Sequence, residues 1–246
     1  MKPIVVIPTY NEIETLPSTL ERVKSVLPDI DILVVDDNSP DGTGTYADEQ
    51  AVGDPSIHVL HRPGKGGLAA AYIAGFGWAL QSDYTHVVQM DADGSHRAGD
   101  LKRMLERANQ ADQPDLVIGS RWVPGGGVVN WPRSRQYLSR LGNIYNKFAL
   151  GLPYADITAG FRVYRADLLK ELNLDEVQIV GYYWQTDMTQ RLHVRGSHIV
   201  EVPITFHERE AGESKLSSNI FFESLKESTR RGLHHHTSRV TAIVKQ

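Results

Sequence analysis

The stretch Val87-Val88-Gln89-Met90-Asp91-Ala92-Asp93-Gly94-Ser95-His96 joins a short apolar run to two carboxylates that lie one residue apart. The apolar run predicts a buried strand, and strand alternation places Asp91 and Asp93 on the same side of the chain. Gly94 permits a sharp turn directly after them. Two ionised carboxylates at this spacing repel each other unless they face water or share a divalent cation. The stretch therefore predicts either an acidic surface turn or a site for Mg²⁺ or Mn²⁺.

Outward from this stretch, short apolar runs alternate with segments of helical periodicity. This order is typical of βαβ crossovers and predicts an α/β fold with a single mostly parallel sheet flanked by helices. In such a sheet, ligands bind at the carboxyl ends of the strands. We expect strands at 4–7, 32–35, 57–60, 87–90 and 116–118, and helices at about 13–27, 43–52, 67–81, 99–111 and 136–150.

Composition excludes several classes of protein. A formal net charge of −4 over 246 residues excludes a generally basic nucleic-acid-binding protein. The absence of cysteine excludes disulfides and thiolate metal sites, and is compatible with a reducing cytoplasm. The first residues enter a strand directly without a signal-peptide layout, and the most apolar stretch, 68–80, is too short to span a bilayer. We therefore expect a soluble or peripheral membrane protein.

Charged residues follow four of the predicted strands. Asp37 follows the second strand, Lys65 the third, Asp93 the fourth and Arg121 the fifth. Because the carboxyl ends of parallel strands meet at one edge of the sheet, we expect these side chains to line one crevice. No Gly-x-Gly-x-x-Gly follows the first strand, and 64–67 is not a nucleotide-hydrolase phosphate loop. The phosphates of a bound nucleotide would therefore be held through a metal and basic side chains.

Seven motifs occur in an order and at distances that resemble those of one family. Together they make the chain similar to the family 2 inverting glycosyltransferases of the A-type fold, and more narrowly to the polyprenyl (dolichyl) phosphate mannose synthases. The similarity covers residue 1 to about 220. The motifs are Pro8-Thr9-Tyr10-Asn11-Glu12, Asp36-Asp37-Asn38-Ser39-Pro40-Asp41-Gly42-Thr43, Gly64-Lys65-Gly66-Gly67-Leu68, Asp91-Ala92-Asp93, Gly119-Ser120-Arg121, Asp156-Ile157-Thr158-Ala159-Gly160-Phe161-Arg162 and Arg209-Glu210-Ala211-Gly212-Glu213-Ser214-Lys215.

The resemblance implies transfer of mannose from GDP-mannose to a polyprenyl monophosphate, with inversion at the anomeric carbon and with Mg²⁺ or Mn²⁺ as cofactor. The same chemistry with UDP-glucose or another nucleotide sugar is the alternative. Ser95 stands where many relatives have Gln, and a serine would ligate only weakly or through water. On the donor side, the resemblance implies nucleotide binding by Pro8, Tyr10, Glu12, Val35, Asp37, Lys65, Asp91 and Ala92, and metal binding by Asp91, Asp93 and Ser95.

On the acceptor side, the resemblance implies positioning and charge neutralisation by the protein. A strong general base is not needed, because a phosphate monoester with a second pKa near ~6 is largely ionised at neutral pH. Guanidinium groups match phosphate in a bidentate manner. Asp187 is either a general base or the cap of a helix over 187–194. The catalytic residues implied are Asp93, Arg121, Arg135, Asp187, Arg209 and Lys215.

Two segments, 136–150 and 218–232, have apolar residues on one helical face together with basic residues. Such helices either pack in the core or lie on a membrane surface. A lipid acceptor requires membrane contact, so the resemblance implies a peripheral protein on the cytoplasmic face, with a membrane-embedded partner protein as a further option. We expect a catalytic domain over 1–217 and a basic, amphipathic helical tail over 218–246 with no transmembrane span.

Two other classes of protein compete with this interpretation. A nucleotidyltransferase also combines an α/β sheet with a carboxylate-held metal, but such enzymes begin with a Gly-rich basic loop where this chain has Pro8-Thr9-Tyr10-Asn11-Glu12. A non-catalytic binding subunit is the second class. The presence of both carboxylates and of the basic residues named above argues against it.

Overall fold

The computed structural model describes residues 1–172, 174, 177, 183–208 and 226–230. The strands in these ranges are β1 (Pro3–Thr9), β2 (Asp31–Asp36), β3 (Ile57–His61), β4 (His86–Gln89), β5 (Leu116–Ser120), β6 (Gly127–Val129), β7 (Arg162–Arg165), β8 (Ile199–Pro203) and β9 (Thr205–His207). They form a seven-stranded sheet of order β3-β2-β1-β4-β7-β5-β8 and a two-stranded sheet of β6 and β9. Every neighbouring pair is parallel except the two pairs that involve β7.

Helices connect the strands and cover the sheet. They are α1 (Leu16–Val26), α2 (Thr43–Gly53), α3 (Leu68–Ala79), α4 (Ala98–Ala108), α5 (Arg133–Leu150), α6 (Ala166–Glu171) and α7 (Tyr183–Val194). One apolar cluster contains residues of α3, α6 and α7, and the other contains residues of α1 and α4. The sheet therefore lies between two layers of helices.

Both faces of the large sheet are buried. Along β1, Ile4 and Val6 belong to one apolar cluster, whereas Val5 and Ile7 belong to the other. This arrangement explains why the strands are continuous apolar runs, since a covered parallel strand has no polar face. Gly75 lets α3 approach the sheet closely, because a Cβ at this position would lie 2.5 Å from Cγ1 of Val6.

The alternating order and the mostly parallel sheet expected from the sequence are confirmed. Two features differ from the expectation. Strand β7 was not among the predicted strands, and it pairs antiparallel between β4 and β5. The small sheet of β6 and β9 was also not predicted, so the described residues form two sheets where one was expected.

The tail expected over 218–246 lies mostly outside the described residues. Its described part, 226–230, is helical. The hydroxyl of Ser228 donates to Oδ1 of Asn146 at 2.7 Å, and the hydroxyls of Thr229 and Tyr145 are hydrogen-bonded to each other. This part of the tail therefore packs on α5. Among the helices that the structure describes, none combines the length and the apolar character needed to cross a membrane.

Candidate active site

The first part of the site joins the ends of β1 and β2. Thr9 and Asp36 are partners in the strand register, and Oγ1 of Thr9 donates to Oδ1 of Asp36 at 3.1 Å. The same carboxylate accepts from the backbone N and the hydroxyl of Ser39, at 3.0 and 2.5 Å. Asp36 is buried. Its carboxylate therefore holds the turn residues of 37–43 in place rather than facing a ligand.

Tyr10, Asp37 and Lys65 come together across the next loops. Oδ2 of Asp37 accepts from the backbone N of Gly66 at 3.0 Å, and Oδ1 forms an ion pair with Arg62. Nζ of Lys65 lies 4.4 Å from the centre of the Tyr10 ring, within cation–π range. The expected convergence of the loops after β1, β2 and β3 is present. Asp37 also fixes the loop that carries Lys65, a role that the sequence did not indicate.

The other residues expected to bind the nucleotide are less accessible. Pro8 and Val35 are buried in paired strands. A Cβ on Gly75 would lie 3.0 Å from Cγ2 of Val35, so the Val35 side chain packs against α3 in the core. The whole Val35 residue is 0 % exposed, so it presents no surface to a nucleotide in this structure. Glu12 is half-buried, and its Oε2 accepts from the hydroxyl of Thr15 at 3.0 Å.

The turn after β4 has the conformation expected from its sequence. Gly94 has φ +75°, the left-handed region that favours glycine. Oδ1 of Asp93 accepts from the backbone N of Ser95 at 3.0 Å and from its hydroxyl at 2.6 Å. Ser95 and Ala92 are buried, and Asp93 is 7 % exposed. Since Ser95 gives its hydroxyl proton to Asp93, it orients the carboxylate and has only oxygen lone pairs left for a cation.

Two side chains that the sequence did not single out hold Asp91. Tyr72 of α3 donates its hydroxyl to Oδ1 of Asp91 at 2.7 Å. Burial and then the nearby Asp91 carboxylate raise the pKa of Tyr72 well above its usual value, so the phenol stays protonated and donates. Nδ1 of His96 accepts from the backbone N of Asp91 at 3.1 Å. Burial lowers the pKa of His96, so its ring is neutral and carries the proton on Nε2.

The donor atoms of this turn suit a hard divalent cation. Asp91 and Asp93 offer carboxylate oxygens, which Mg²⁺ and Mn²⁺ prefer. In the part of the chain that the structure describes, no three carboxylate or imidazole side chains come together as a complete ligand set. A cation here would therefore take its remaining ligands from a diphosphate and from water, as Mg²⁺ commonly does.

The structure corrects the role expected for Arg121. Its Nε and Nη2 each lie 2.7 Å from an oxygen of Asp156, and its backbone N donates to the same carboxylate at 2.9 Å. Asp156 is 0 % exposed and Arg121 is 8 % exposed. The charge of Arg121 is thus balanced within the protein, so Arg121 is not a simple counter-charge for phosphate. These contacts leave Nη1 as the part of the guanidinium that faces no hydrogen-bond acceptor among the described residues.

Helix α5 is tied to this ion pair. Nδ2 of Asn143 donates to Asp156 at 3.3 Å and to Oγ1 of Thr158 at 3.0 Å, and its Oδ1 accepts from the backbone N of Thr158. The sequence motif contained Asp156, but nothing local indicated its partner 35 residues away. Aromatic rings surround the Arg121 guanidinium at 5.5–5.6 Å, and they belong to Trp122, Trp131 and Phe206.

Arg135 contacts the same aromatic ring as Arg121. It belongs to the first turn of α5, and its guanidinium is 3.9 Å from the centre of the Trp131 ring, which Arg121 also contacts. Nη1 of Arg135 donates to Glu208 at 3.3 Å, and a quarter of the Arg135 side chain is exposed. The structure therefore brings two of the expected basic residues together around one indole ring.

Among the remaining expected catalytic residues, Asp187 is described by the structure and is contacted by its own helix. Asp187 is fully buried, and its Oδ2 accepts from Nε of Arg191 at 2.9 Å. The hypothesis that Asp187 caps its helix is wrong, because α7 begins at Tyr183 and includes Asp187 in its second turn. Arg209 and Lys215 lie outside the described residues.

Comparison with known proteins identifies related sequences over nearly the whole chain. Residues 4–173 match the family model of glycosyl transferase family 2. The undecaprenyl-phosphate mannosyltransferase of Micrococcus luteus is 55% identical over 233 residues, which cover 95% of each chain. The polyprenol monophosphomannose synthase of Mycolicibacterium smegmatis is 48% identical over 243 residues, which cover 98% of this chain and 91% of that one.

Solved structures share the fold at low sequence identity. Glucosyl-3-phosphoglycerate synthase of Mycobacterium tuberculosis, in complex with phosphoglyceric acid, superposes with a TM-score of 0.65 at 16% identity, over 93% of this chain and 80% of that one. A mannosyltransferase of Pyrobaculum calidifontis, in complex with GDP-mannose and Mn²⁺, has a TM-score of 0.58 at 14% identity, over 98% and 75% of the two chains. The fold is therefore the A-type glycosyltransferase fold expected from the motifs.

Proposed function

The chain belongs to glycosyl transferase family 2, and from that premise we propose that it transfers mannose from GDP-mannose to a polyprenyl monophosphate, with inversion. The observation that carries this proposal is the similarity, over almost the full length of both chains, to two relatives named for mannosyl transfer to a polyprenyl phosphate. The two groups of charged residues at the carboxyl edge of the sheet supply a donor side and an acceptor side for such a reaction.

The donor side consists of the loops after β1 to β4. Asp91 and Asp93 would hold Mg²⁺ or Mn²⁺, which when bound neutralises the diphosphate that leaves the sugar. Tyr72 and Ser95 act on these two carboxylates by orienting them through hydrogen bonds. We assign the nucleoside to the neighbouring loops, with contacts to Pro8, Tyr10, Glu12, Asp37, Lys65 and Ala92.

The acceptor side is built around Trp131. In the reaction, a phosphate oxygen of the lipid forms a bond to the anomeric carbon while the bond from that carbon to the GDP oxygen breaks. Arg135 and Nη1 of Arg121 are the described donors that can hold the attacking phosphate, and we add Arg209 and Lys215 from the sequence motif. The phosphate monoester needs no strong base. We therefore propose that the fully buried Asp187 stabilises α7 through its contact with Arg191.

Helix α5 provides the surface through which this site would meet a lipid. Its outward face exposes several large apolar side chains, and Leu141 and Phe148 are 62% and 75% exposed. The segment 120–150 contains basic but no acidic residues. The opposite face of α5 contacts Asp156 through Asn143. We propose that α5 lies on the cytoplasmic surface of the membrane and connects it to the acceptor site. The exposed apolar residues of this face are Tyr137, Leu138, Leu141, Ile144, Tyr145 and Phe148.

A transfer assay tests the proposed reaction. The protein is incubated with radiolabelled GDP-mannose, polyprenyl phosphate and Mn²⁺, and label is counted in the organic phase after solvent extraction. We expect an organic-soluble, mild-acid-labile product that does not form without the lipid phosphate. Labelled UDP-glucose serves as the competing donor. A product from UDP-glucose but not from GDP-mannose would show that UDP-glucose is the donor.

A vesicle sedimentation assay tests the membrane surface. Leu141→Glu together with Phe148→Glu places two charges on the exposed face of α5, so we expect it to reduce binding to anionic vesicles. The control is Val52→Glu, because Val52 is 91% exposed on α2 and distant in sequence from α5. Equal vesicle binding by the wild type and both variants would show that α5 does not contact the membrane.

A further inference from the structure

Gly160 lies beside a small space that three polar side chains surround. A Cβ added to Gly160 would lie 3.7 Å from Nε2 of Gln89, 3.8 Å from Oδ2 of Asp91 and 3.8 Å from Nε2 of Gln185. These residues come from β4, from the turn after it and from α7. Gly160 does not have a positive φ, so its backbone conformation is open to any residue. What the glycine provides is therefore space, and we call this space the Gly160 pocket.

The two amides of the Gly160 pocket have unused hydrogen-bonding capacity. Nε2 of Gln89 and Oε1 of Gln185 are buried and have no hydrogen-bond partner in the described part of the chain. Gln89 is 0 % exposed and Gln185 is 3 % exposed. A buried polar atom without a partner destabilises a fold, so such atoms need an explanation. A polar ligand in the pocket would supply the partner that Nε2 of Gln89 lacks, because this nitrogen is the Gln89 atom that lies beside Gly160.

A hydrogen-bond chain fixes the direction of the Gln89 amide. Nη1 of Arg162 donates to the hydroxyl oxygen of Tyr164 at 3.2 Å and to the backbone carbonyl of Gln185 at 2.9 Å. Because arginine has no acceptor, the single proton of Tyr164 is left to donate to Oε1 of Gln89, at 3.4 Å. The Gln89 nitrogen must then be the atom that faces the Gly160 pocket. The buried guanidinium thus orients the Gln89 amide through Tyr164 and holds the backbone of Gln185.

The chemistry of the pocket selects among the parts of a nucleotide sugar. A phosphate group inside the pocket is disfavoured, since it would face Oδ2 of Asp91 directly, without the cation that we assign between the carboxylates and the diphosphate. A sugar hydroxyl both donates and accepts, and therefore matches two amide N–H groups and a carboxylate placed around one space. Resting on the function proposed above, we infer that Gln89, Asp91 and Gln185 around Gly160 bind hydroxyl groups of the transferred hexose.

Gly160→Ala tests this inference, because the added methyl fills the pocket at ordinary van der Waals distances and clashes with nothing. Affinity for GDP and for GDP-mannose is measured by calorimetry with Mn²⁺ and without lipid phosphate. Loss of the sugar contacts should weaken GDP-mannose by at least about tenfold and leave GDP within about twofold of wild type. The matched control is Gly77→Ala, where the Cβ meets nothing within 4 Å. Unchanged GDP-mannose affinity, or equal weakening of GDP, would overturn the inference.

Gln185→Met gives a second test that does not depend on the folding of the first variant. It removes the amide nitrogen beside Gly160 together with an unpartnered oxygen at similar volume, so we expect selective weakening of GDP-mannose and no fall in Tm. A lower Tm with both ligands affected equally would mean that Gln185 is purely structural, and would contradict the inference. Both tests omit the lipid acceptor. Failure of transfer to polyprenyl phosphate would therefore overturn the proposed function. It would not affect the inference that the Gly160 pocket binds the hexose.

Discussion

Two aspartates at the same edge of the sheet are held in different ways. The Asp93 carboxylate accepts hydrogen bonds from the backbone N and hydroxyl of Ser95, two residues away. The Asp156 carboxylate instead accepts a bidentate pair from Arg121, 35 residues away, and is supported by Asn143 of α5. Asp93 is held by its own turn, whereas Asp156 holds distant segments together. We therefore expect substitution of Asp93 to lower activity and substitution of Asp156 to lower stability.

The sharpest test of this comparison is Asp93→Asn. Removal of a hard anionic ligand should lower mannosyl transfer by at least about a thousandfold, because a bound cation contributes several kcal/mol of charge stabilisation. Divalent-dependent GDP binding, measured by calorimetry, should weaken strongly, while Tm stays close to that of wild type. Asp29→Asn is the control, since Asp29 is exposed on the surface. Wild-type metal dependence in Asp93→Asn would place the cation elsewhere.

Asp156→Asn should show the opposite pattern. It leaves the buried Arg121 charge without its carboxylate, and breaking a buried pair costs about 3–5 kcal/mol of unfolding free energy. Urea unfolding of the purified variant measures this loss. Asp112→Asn breaks an exposed pair with Arg107 and should change stability little. Equal unfolding midpoints for these two variants would show that the Arg121 pair does not stabilise the fold.

Arg135→Ala probes the acceptor side without touching the Asp156 pair. Loss of one charge-assisted contact to phosphate should cost about 1.5–3 kcal/mol, or roughly ten- to a hundredfold in kcat/KM for polyprenyl phosphate. GDP affinity should remain near that of wild type. Arg133→Ala, on the exposed side of the same turn, is the control. If Arg135→Ala binds GDP as poorly as Asp93→Asn, the residue belongs to the donor side. Lys215→Ala extends the same test to the sequence motif.

The smallest effect is expected for the choice of nucleoside. Ligands stabilise the folded state in proportion to their affinity, so GDP should raise Tm more than UDP at equal concentration if Glu12 and Asp37 contact guanosine. Thermal shifts with both nucleotides and Mn²⁺ measure the difference. Equal or reversed shifts would favour the UDP-glucose alternative.

Local chemistry explains which parts could be predicted from the sequence. The apolar strands and the turn at Asp91 and Asp93 depend on residues close together in the chain, so their pattern was sufficient. Strand β7 was missed because it contains two arginines, and the buried guanidinium of Arg162 is satisfied by the carbonyls of Ile157, Ala159 and Gln185. Only the folded chain brings these groups together.

The same reason applies to the site. Tyr72 supports Asp91 from 19 residues away, and Asp156 balances Arg121 across 35 residues. Neither contact has a signal in local spacing. Sequence motifs therefore identified the charged residues of the site, but they did not show which charges were already balanced by the protein.

The anomeric configuration of the transferred sugar tests the account most directly. Product made from GDP-mannose carrying ¹³C at C-1 and a polyprenyl phosphate is extracted, and the one-bond C1–H1 coupling is measured by NMR. The account predicts mannose linked to the lipid phosphate with the configuration opposite to that in the donor, because one phosphate oxygen displaces GDP in a single step. A product with retained configuration, or no labelled lipid at all, would contradict it.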